Sequence, residues 1–334
     1  VVPVLNRPFL AWQLALLREH GVTDVVLACS YRVDDVRGAL GEAEHLGVRL
    51  RYVIEAEPLG TGGGVRNAAD LAAGTVFVLN GDVLSDVDLS AMRAFHEARG
   101  SRTTIFLTRV ADPRQYGLVE TAADGRLLRF REKPTGDEPI TTDTINAGIY
   151  LIDAALLARI PHGRTVSIER EFFPALIADG TPSFGWVSDA YWRDIGSPAA
   201  YRAAHLDLLG GKARMPLPPP GEPRDGCWVE RDADVAAGAR LAAPAVVGAG
   251  ASVRAGASIG PMAVVGERCR IGRDSRLEGA VLWERVEVGA RSSLRDCVVG
   301  ADVHIGADVD IGPGVVLESG AVIPDHTRLT AERG

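Results

Sequence analysis

The sequence predicts a two-part α/β protein: a Rossmann-like, doubly wound domain followed by a left-handed parallel β-helix of hexapeptide repeats. Three observations carry this. Short apolar runs alternate with helical patterns through the N-terminal part. A proline- and glycine-rich stretch then interrupts the chain, and from Val229 onward an apolar residue recurs every six positions.

The elements follow in order. Phe9, Leu10, Leu14, Leu16 and Leu17 keep helical spacing, and Gly21 follows as a C-cap. Residues 25–29 form a continuous apolar run, as in a strand buried on both faces. The pattern next predicts a helix over 33–46, a strand over 48–54, a helix over 65–71, a strand over 75–79, a helix over 89–98 and a strand over 104–108. Such βαβα alternation argues for a mostly parallel sheet. Beyond Gly117 the segments shorten and become more β-like, over 118–120, 127–131 and 147–152, before helices over 168–178 and 198–209. Residues 210–226 hold five prolines and four glycines, a composition that cannot sustain a helix or a central strand. The expected domains are therefore 1–209, a linker over 210–226, and a β-helix over 227–328.

The repeat is the strongest pattern in the chain. Steps of six from Val229 give Val235, Leu241, Val247, Val253, Ile259, Val265, Ile271, Leu277 and Trp283. A five-residue step leads to Val288 and Leu294, and another to Val299, Ile305, Ile311, Leu317 and Ile323. All 17 anchors are apolar against a chain average of 46%, and eight are followed directly by Gly, so chance does not explain the series. Each hexad supplies one face of a triangular prism with its anchor pointing inward, and three hexads per coil give five to six coils. A solenoid is a scaffold before it is a site.

Composition excludes several function classes. The length of 334 residues suits about two domains of roughly 150 residues each. A net charge of −8 argues against nucleic acid or an anionic membrane as partner, and no apolar stretch approaches a membrane span. Cys29, Cys227, Cys269 and Cys297 lie far apart without CxxC or neighbouring His. They read as reduced thiols of a cytoplasmic protein, not a disulfide frame or zinc site. Of 36 basic residues only Lys133 and Lys212 are lysine, which singles out both.

Four motifs fall where such sheets bind ligands, beyond the carboxyl ends of the strands. EAEPLGTGGG, from Glu55 to Gly64, has glycines that let backbone approach a ligand with N–H groups free to point at it; a plain flexible turn is the other reading. VLNGDV ends a buried strand on Asp82, which can hold Mg²⁺ against phosphate oxygens or serve only as a turn or N-cap residue. In FREKP, Lys133 adjoins Glu132 and is fixed by Pro134. An ammonium suits a phosphate and a carboxylate suits sugar hydroxyls, but a solvated ion pair fits as well. AYWRDIG brings a second acid, Asp194, either a ligand or the partner of an arginine such as Arg193.

Together and in this order the motifs resemble the nucleotide-sugar pyrophosphorylases, or sugar-1-phosphate nucleotidyltransferases. GTGGG, LNGDV, YGLVE, FREKP, NAGIY, SIEREFFP and YWRDIGSP all match, and a hexapeptide β-helix after a linker is typical of several branches. EPLGT, NAGIY, SIERE and WRDIG look most like the mannose-1-phosphate guanylyltransferase branch. The resemblance implies NTP + sugar 1-phosphate → NDP-sugar + pyrophosphate, with GTP, mannose 1-phosphate and GDP-mannose favoured. It implies Asp82, Lys133 and Asp194 as catalytic residues, with Asp82 and Asp194 holding Mg²⁺ and Lys133 gripping the sugar phosphate. Glu55, Gly60, Thr61, Gly62 and Gly81 would bind nucleotide, and Gly117, Glu132 and Asn146 the sugar. Glu55 stands where the family reads the base, with Glu57 nearby. Small-molecule substrates, a homo-oligomer formed through the β-helix, and no nucleic acid or membrane partner complete the expectation.

The family's GGxGTRLRP loop and following Pro-Lys lie upstream of PVLNRP, and residues 1–334 open at VVPVLNRP. The resemblance therefore implies that these residues alone lack the phosphate loop and do not turn over. Two alternatives have a different chemistry: a non-catalytic, sugar-nucleotide-binding subunit of an active homologue, and a thymidylyl- or uridylyltransferase acting on glucose 1-phosphate. Acyl transfer by the β-helix would need a catalytic His. His304 precedes an anchor and so points outward, and His326 follows the last anchor.

Overall fold

The strand Thr144–Asp153 organises the first region: eight of its ten residues are buried, and it is paired along both edges. Thr75–Leu79 and Thr103–Arg109 flank it, both antiparallel, and Leu118–Thr121 joins at Ile145. Ser183–Val187 runs parallel to Thr103–Arg109, and Leu127–Arg131 closes the six-stranded sheet. The computed structural model describes residues 2–30, 32–133 and 139–331. Pro134 lies outside them.

The expected strands and helices are nearly all present, with Thr75–Leu79, Leu127–Arg131, Leu89–Ala98 and Pro198–Leu209 falling where the pattern put them. Three expectations need correction. The large sheet is mixed, because Thr144–Asp153 runs antiparallel between strands that share one direction. Asp24–Cys29 is not buried on both faces; it forms its own two-stranded parallel sheet with Arg49–Ile54 and is partly exposed throughout. The helix expected over 33–46 stops at Leu40, where Gly41 at φ +58° and Ala43 at φ +53° turn the chain into a short 3₁₀ segment. Within 210–226, Glu222–Arg224 forms an edge strand antiparallel to Cys227–Val229, which the exclusion of a helix or a central strand allows.

By Cα proximity the chain divides into two compact units: Gln13–Trp192, and a second joining the residues up to Trp12 with those from Arg193 onward. This division differs from the 209/210 boundary because flanking segments attach to the solenoid. Pro3–Val4 and Arg7–Pro8 form a hairpin whose Asn6 amide donates to Val265 O at 2.9 Å. In the Pro198–Leu209 helix, the Tyr201 hydroxyl accepts from Trp283 Nε1 at 3.0 Å, and Arg202 donates to Asp296 at 2.8 Å. Among the described residues no helix is long and apolar enough to cross a membrane.

The repeats form a left-handed β-helix of about six coils, with three faces of six parallel strands each, the first extended by the antiparallel Glu222–Arg224. Partners lie one coil apart: Val229 on Val247, Val247 on Val265, Val253 on Ile271. One anchor is corrected. The coil after Val265 pairs Val264 with Val281, so Leu282, 1% exposed, is the inward residue and Trp283 faces out to Tyr201. The five-residue step therefore falls between Leu277 and Leu282. Glycines after anchors serve stacking: a Cβ on Gly272 would come within 2.6 Å of the Gly289 carbonyl carbon in the next coil. The first sheet presents an outward column of Val246, Val264, Val281 and Val298 that is nevertheless buried. The other two faces carry Ser252, Arg270, Glu287 and His304, and Ser258, Arg276, Ser293 and Asp310. All four cysteines are free, and burial pushes the Cys269 and Cys297 thiols up to about 12.

Candidate active site

Asn80-Gly81-Asp82 follows the Thr75–Leu79 strand, with Gly81 and Asp82 exposed at the turn. Asn80 N–H donates to Gly148 O at 2.8 Å. Gly148 lies in a bulge of the central strand at φ +71°, where a Cβ would come within 2.8 Å of Asn80 Nδ2. Glycine is needed there for both its conformation and its bareness.

The GTGGG segment is not the open loop expected. It is the first turn of the helix Gly60–Ala68, and the amides of Gly62 and Gly63 are taken. Gly62 N–H donates to Val166 O at 2.8 Å and Gly63 N–H to the same oxygen at 3.3 Å, while Val166 N–H donates to Leu59 O at 2.9 Å. A Cβ on Gly62 would press on Val166, and one on Gly64 would come within 2.6 Å of Glu55 Oε1. The glycines thus let the helix close onto 164–168 and onto Glu55. Glu55 is 8% exposed, and its Oε2 accepts from Leu59 N–H at 2.9 Å, so the carboxylate also braces the turn it sits in.

Thr61 joins this helix to a residue that motif reading left without a role. Its hydroxyl donates to Glu169 Oε2 at 2.7 Å and accepts from Ile168 N–H at 3.0 Å. Ser167 Oγ donates to the same Glu169 oxygen at 2.8 Å. Glu169 opens a π-helical turn, Ile168–Phe172, of the kind frequent at functional sites, which continues into the helix Phe173–Ala178. The fully buried Tyr150 hydroxyl accepts from Asn146 Nδ2 at 2.8 Å and also bonds Glu169. Burial, reinforced by the Glu169 charge, pushes that phenol well above its ordinary range.

Glu132 faces the same acid. Burial raises its carboxyl above the ordinary value, the charge of Glu169 adds to the rise, and Lys133 and Arg170 oppose it. Gly117 lies against Glu132, where a Cβ would come within 2.6 Å of Oε2. Lys133 is exposed, with its backbone at φ +45°. Glu132, Gly117, Asn146 and Thr61 are therefore gathered around Glu169 and Tyr150. The signal for those two lay in SIERE and NAGIY, but sequence carries no burial and could not rank them above their neighbours.

Asp194 is half-buried in the second compact unit, and its Oδ1 accepts from Gly196 N–H at 2.7 Å. Arg193 donates to Asp207 at 2.6 Å, and Lys212 meets the other oxygen of that carboxylate at 2.9 Å. The second lysine thus belongs to a structural ion pair. Among the described residues no three His, Cys, Asp or Glu side chains converge as a metal centre. Asp82 and Asp194 do offer the hard oxygen donors that Mg²⁺ takes. Of the two solenoid histidines, His304 lies 3.5 Å from Glu287 and His326 3.8 Å from Asp308, both exposed.

A buried carboxylate (Glu169), a half-buried one (Glu132), a buried tyrosine and a carboxamide thus gather beside a glycine-rich helix start, and they offer the kinds of acceptor and donor that hydroxyl groups take. Residues 224–329 match the family described as EIF2B subunit epsilon LbH domain. The mannose-1-phosphate guanylyltransferase of Mycobacterium tuberculosis is 38% identical over 292 residues, 87% of this chain and 75% of that protein. The probable mannose-1-phosphate guanylyltransferase 1 of Oryza sativa is 39% identical over 222 residues, 64% of this chain and 60% of its own length. Among solved structures, HddC from Yersinia pseudotuberculosis aligns with a TM-score of 0.52 and 28% identity, over 61% of this chain and 86% of that one. A glucose-1-phosphate thymidylyltransferase structure from Bacillus anthracis, 19% identical over 61% of this chain and 83% of its own with a TM-score of 0.55, shares the fold. Residues 1–210 match the family described as Nucleotidyl transferase, and with these relatives the chain belongs to the sugar-1-phosphate nucleotidyltransferases.

Proposed function

We propose that the protein transfers a guanylyl group from GTP to mannose 1-phosphate, giving GDP-mannose and pyrophosphate. The observation that carries this reading is the joined pair of subsites. The Gly60–Ala68 helix start, beside Glu55, is bonded through Thr61 to Glu169, and Glu169 shares its surroundings with Glu132 and Tyr150. The 38% identity to a mannose-1-phosphate guanylyltransferase supports the choice of nucleotide and sugar. HddC of Yersinia pseudotuberculosis has been crystallised with GMP-PN, which supports a guanine nucleotide on this fold.

The sugar-phosphate oxygen attacks the α-phosphorus in line, so the protein's work is positioning and charge neutralisation. Lys133 meets the sugar phosphate as a point charge. Glu132, with Glu169 and Asn146 behind it, accepts from sugar hydroxyls. Gly60, Thr61, Gly62 and Gly81 shape the nucleotide side and Glu55 meets the base. Asp82 and Asp194 are the residues that would hold Mg²⁺, which when bound lowers the repulsion between two anions. Three buried free cysteines suit the reducing interior of a cytoplasmic enzyme.

The test is product analysis with GTP, UTP, dTTP and ATP, each offered mannose 1-phosphate and glucose 1-phosphate. It is run on residues 1–334 and on a chain extended upstream. GDP-mannose as the main product supports the reading; preference for dTTP or UTP with glucose 1-phosphate overturns it. Sugar-nucleotide binding by the extended chain without turnover returns the regulatory-subunit alternative.

A further inference from the structure

The turn that carries Asp82 is held from beneath by a residue no motif pointed to. Gln13, in the helix Phe9–Glu19, is 8% exposed, a rare burial for a carboxamide outside a network. Its Nε2 donates to Asn80 O at 2.8 Å and to Val83 O at 2.9 Å. These carbonyls bracket Gly81 and Asp82. Both hydrogens of one amide are used, one on each side of the turn, and that geometry admits a carboxamide but not a hydroxyl or a carboxylate. From the other side, Asn80 N–H is fixed on Gly148 O. The turn is thus tied to a helix through its two flanking carbonyls and to the central strand through Asn80 N–H, and Gly81 and Asp82 are the two residues between the ties.

We propose that Gln13 is a positioning residue for Asp82: it does not touch substrate, but fixes the Asn80–Val83 turn and so the place of the carboxylate. This rests on the reading of Asp82 as a metal-holding acid. Transfer between two anions depends on placement, and a misplacement of about 1 Å can cost on the order of 100-fold.

The experiment compares the parent full-length protein with Gln13→Met, which keeps the volume and removes both donors, and Gln13→Glu, which sets an acceptor against two carbonyl oxygens. Three quantities are read: Mn²⁺ binding in the presence of GTP without sugar phosphate, followed by electron paramagnetic resonance; kcat and KM for mannose 1-phosphate; and thermal unfolding. Mn²⁺ affinity is expected to fall about 10-fold or more and kcat about 10- to 100-fold, while KM for the sugar phosphate stays within about 2-fold. If Gln13→Glu does not fold, Gln13→Met decides. Lower thermal stability with unchanged Mn²⁺ affinity and unchanged kcat overturns the proposal and leaves Gln13 a packing residue. Should the parent itself bind no Mn²⁺ with GTP, or Asp82→Asn bind it as the parent does, the reading of Asp82 fails instead.

Discussion

The solenoid and the Gln13–Trp192 unit treat buried polar groups in opposite ways. Inside the solenoid, Ser275 Oγ donates to Gly289 O at 2.7 Å and Ser292 Oγ to Gly306 O at 2.9 Å, so each polar atom stitches one coil to the next. On its surface, Arg285 with Asp302 and Arg291 with Asp308 repeat the same one-coil step. In the other unit Glu132 and Glu169 are brought close enough that their charges oppose each other in partly dehydrated surroundings. In the solenoid such pairs run from coil to coil and favour folding, with Glu230, raised by burial and by the charge of Glu267, as the exception. The other unit keeps like charges together, a repulsion that Lys133 and Arg170 oppose and that a ligand's hydroxyls would relieve further. Stability and chemistry are therefore separable, and substitutions can break one without the other.

The largest expected effect is catalytic and leaves the fold alone. Asp82→Asn and Asp194→Asn are each expected to lower turnover by on the order of 10²–10³ in an active chain, with thermal unfolding unchanged. Near-normal turnover in either variant removes that residue from the metal-holding pair. The next effect is the mirror image. Gly272→Ala puts a methyl against the Gly289 backbone, with Ala290 N only 2.7 Å from it, and backbone cannot move aside as a flexible side chain would. A loss of roughly 3 kcal/mol, at the upper end of overpacking costs, is expected for the solenoid, measured by denaturant unfolding. Because each coil touches only its neighbours, nucleotide binding is expected to persist under conditions where the variant still folds.

How much was legible in the sequence divides along the same line. Periodicity alone located 16 of the 17 anchors, because each hexad repeats the same local decision and errors do not propagate. At Trp283 the local pattern is ambiguous, since both 282 and 283 are apolar, and the ladder from Val264 to Val281 tells which faces in. In the first region the backbone of one motif differs from its expectation. Gly60–Gly64 has poor helix propensity, yet it is helical because Val166 accepts its amides and the missing side chains admit close contact. Glu169, Tyr150 and Gln13 went unranked because their importance comes from burial and long-range bonds, which no local pattern encodes.

A third, intermediate effect tests whether Glu55 reads the base as well as bracing its own turn. Guanine presents N1–H and the N2 amino group side by side, which a carboxylate can accept in parallel, whereas uracil and thymine flank one N–H with two carbonyl oxygens. Glu55→Gln keeps an oxygen for Leu59 N–H but sets an NH₂ against one of guanine's donors. Selectivity for GTP over UTP is expected to fall about 5- to 150-fold, the range for leaving one buried donor unpaired. A variant with unchanged selectivity confines Glu55 to the turn, as its bond to Leu59 N–H already allows.

The smallest effect is the most direct test of stored tension. Glu132 has its carboxyl raised by burial first and by Glu169 second. A carboxylate raised in the folded state contributes stability that is full below its unfolded value near 4.5 and is lost as pH rises through the folded value. At neutral pH the charged form therefore weighs against folding. Glu132→Gln removes that charge at nearly constant shape, so the variant is expected to melt about 1–3 °C above the parent at pH 7.5. As pH is lowered toward 5 the parent begins to protonate Glu132 and the gap is expected to narrow, which a scan of melting temperature against pH follows. Affinity for mannose 1-phosphate, measured by calorimetry, is expected to fall at the same time, because the amide accepts through one oxygen where the carboxylate accepts through two. A variant that melts below the parent at every pH means that Lys133 and Arg170 outweigh burial and Glu169, and that the pocket's acids are held by attraction instead of against repulsion.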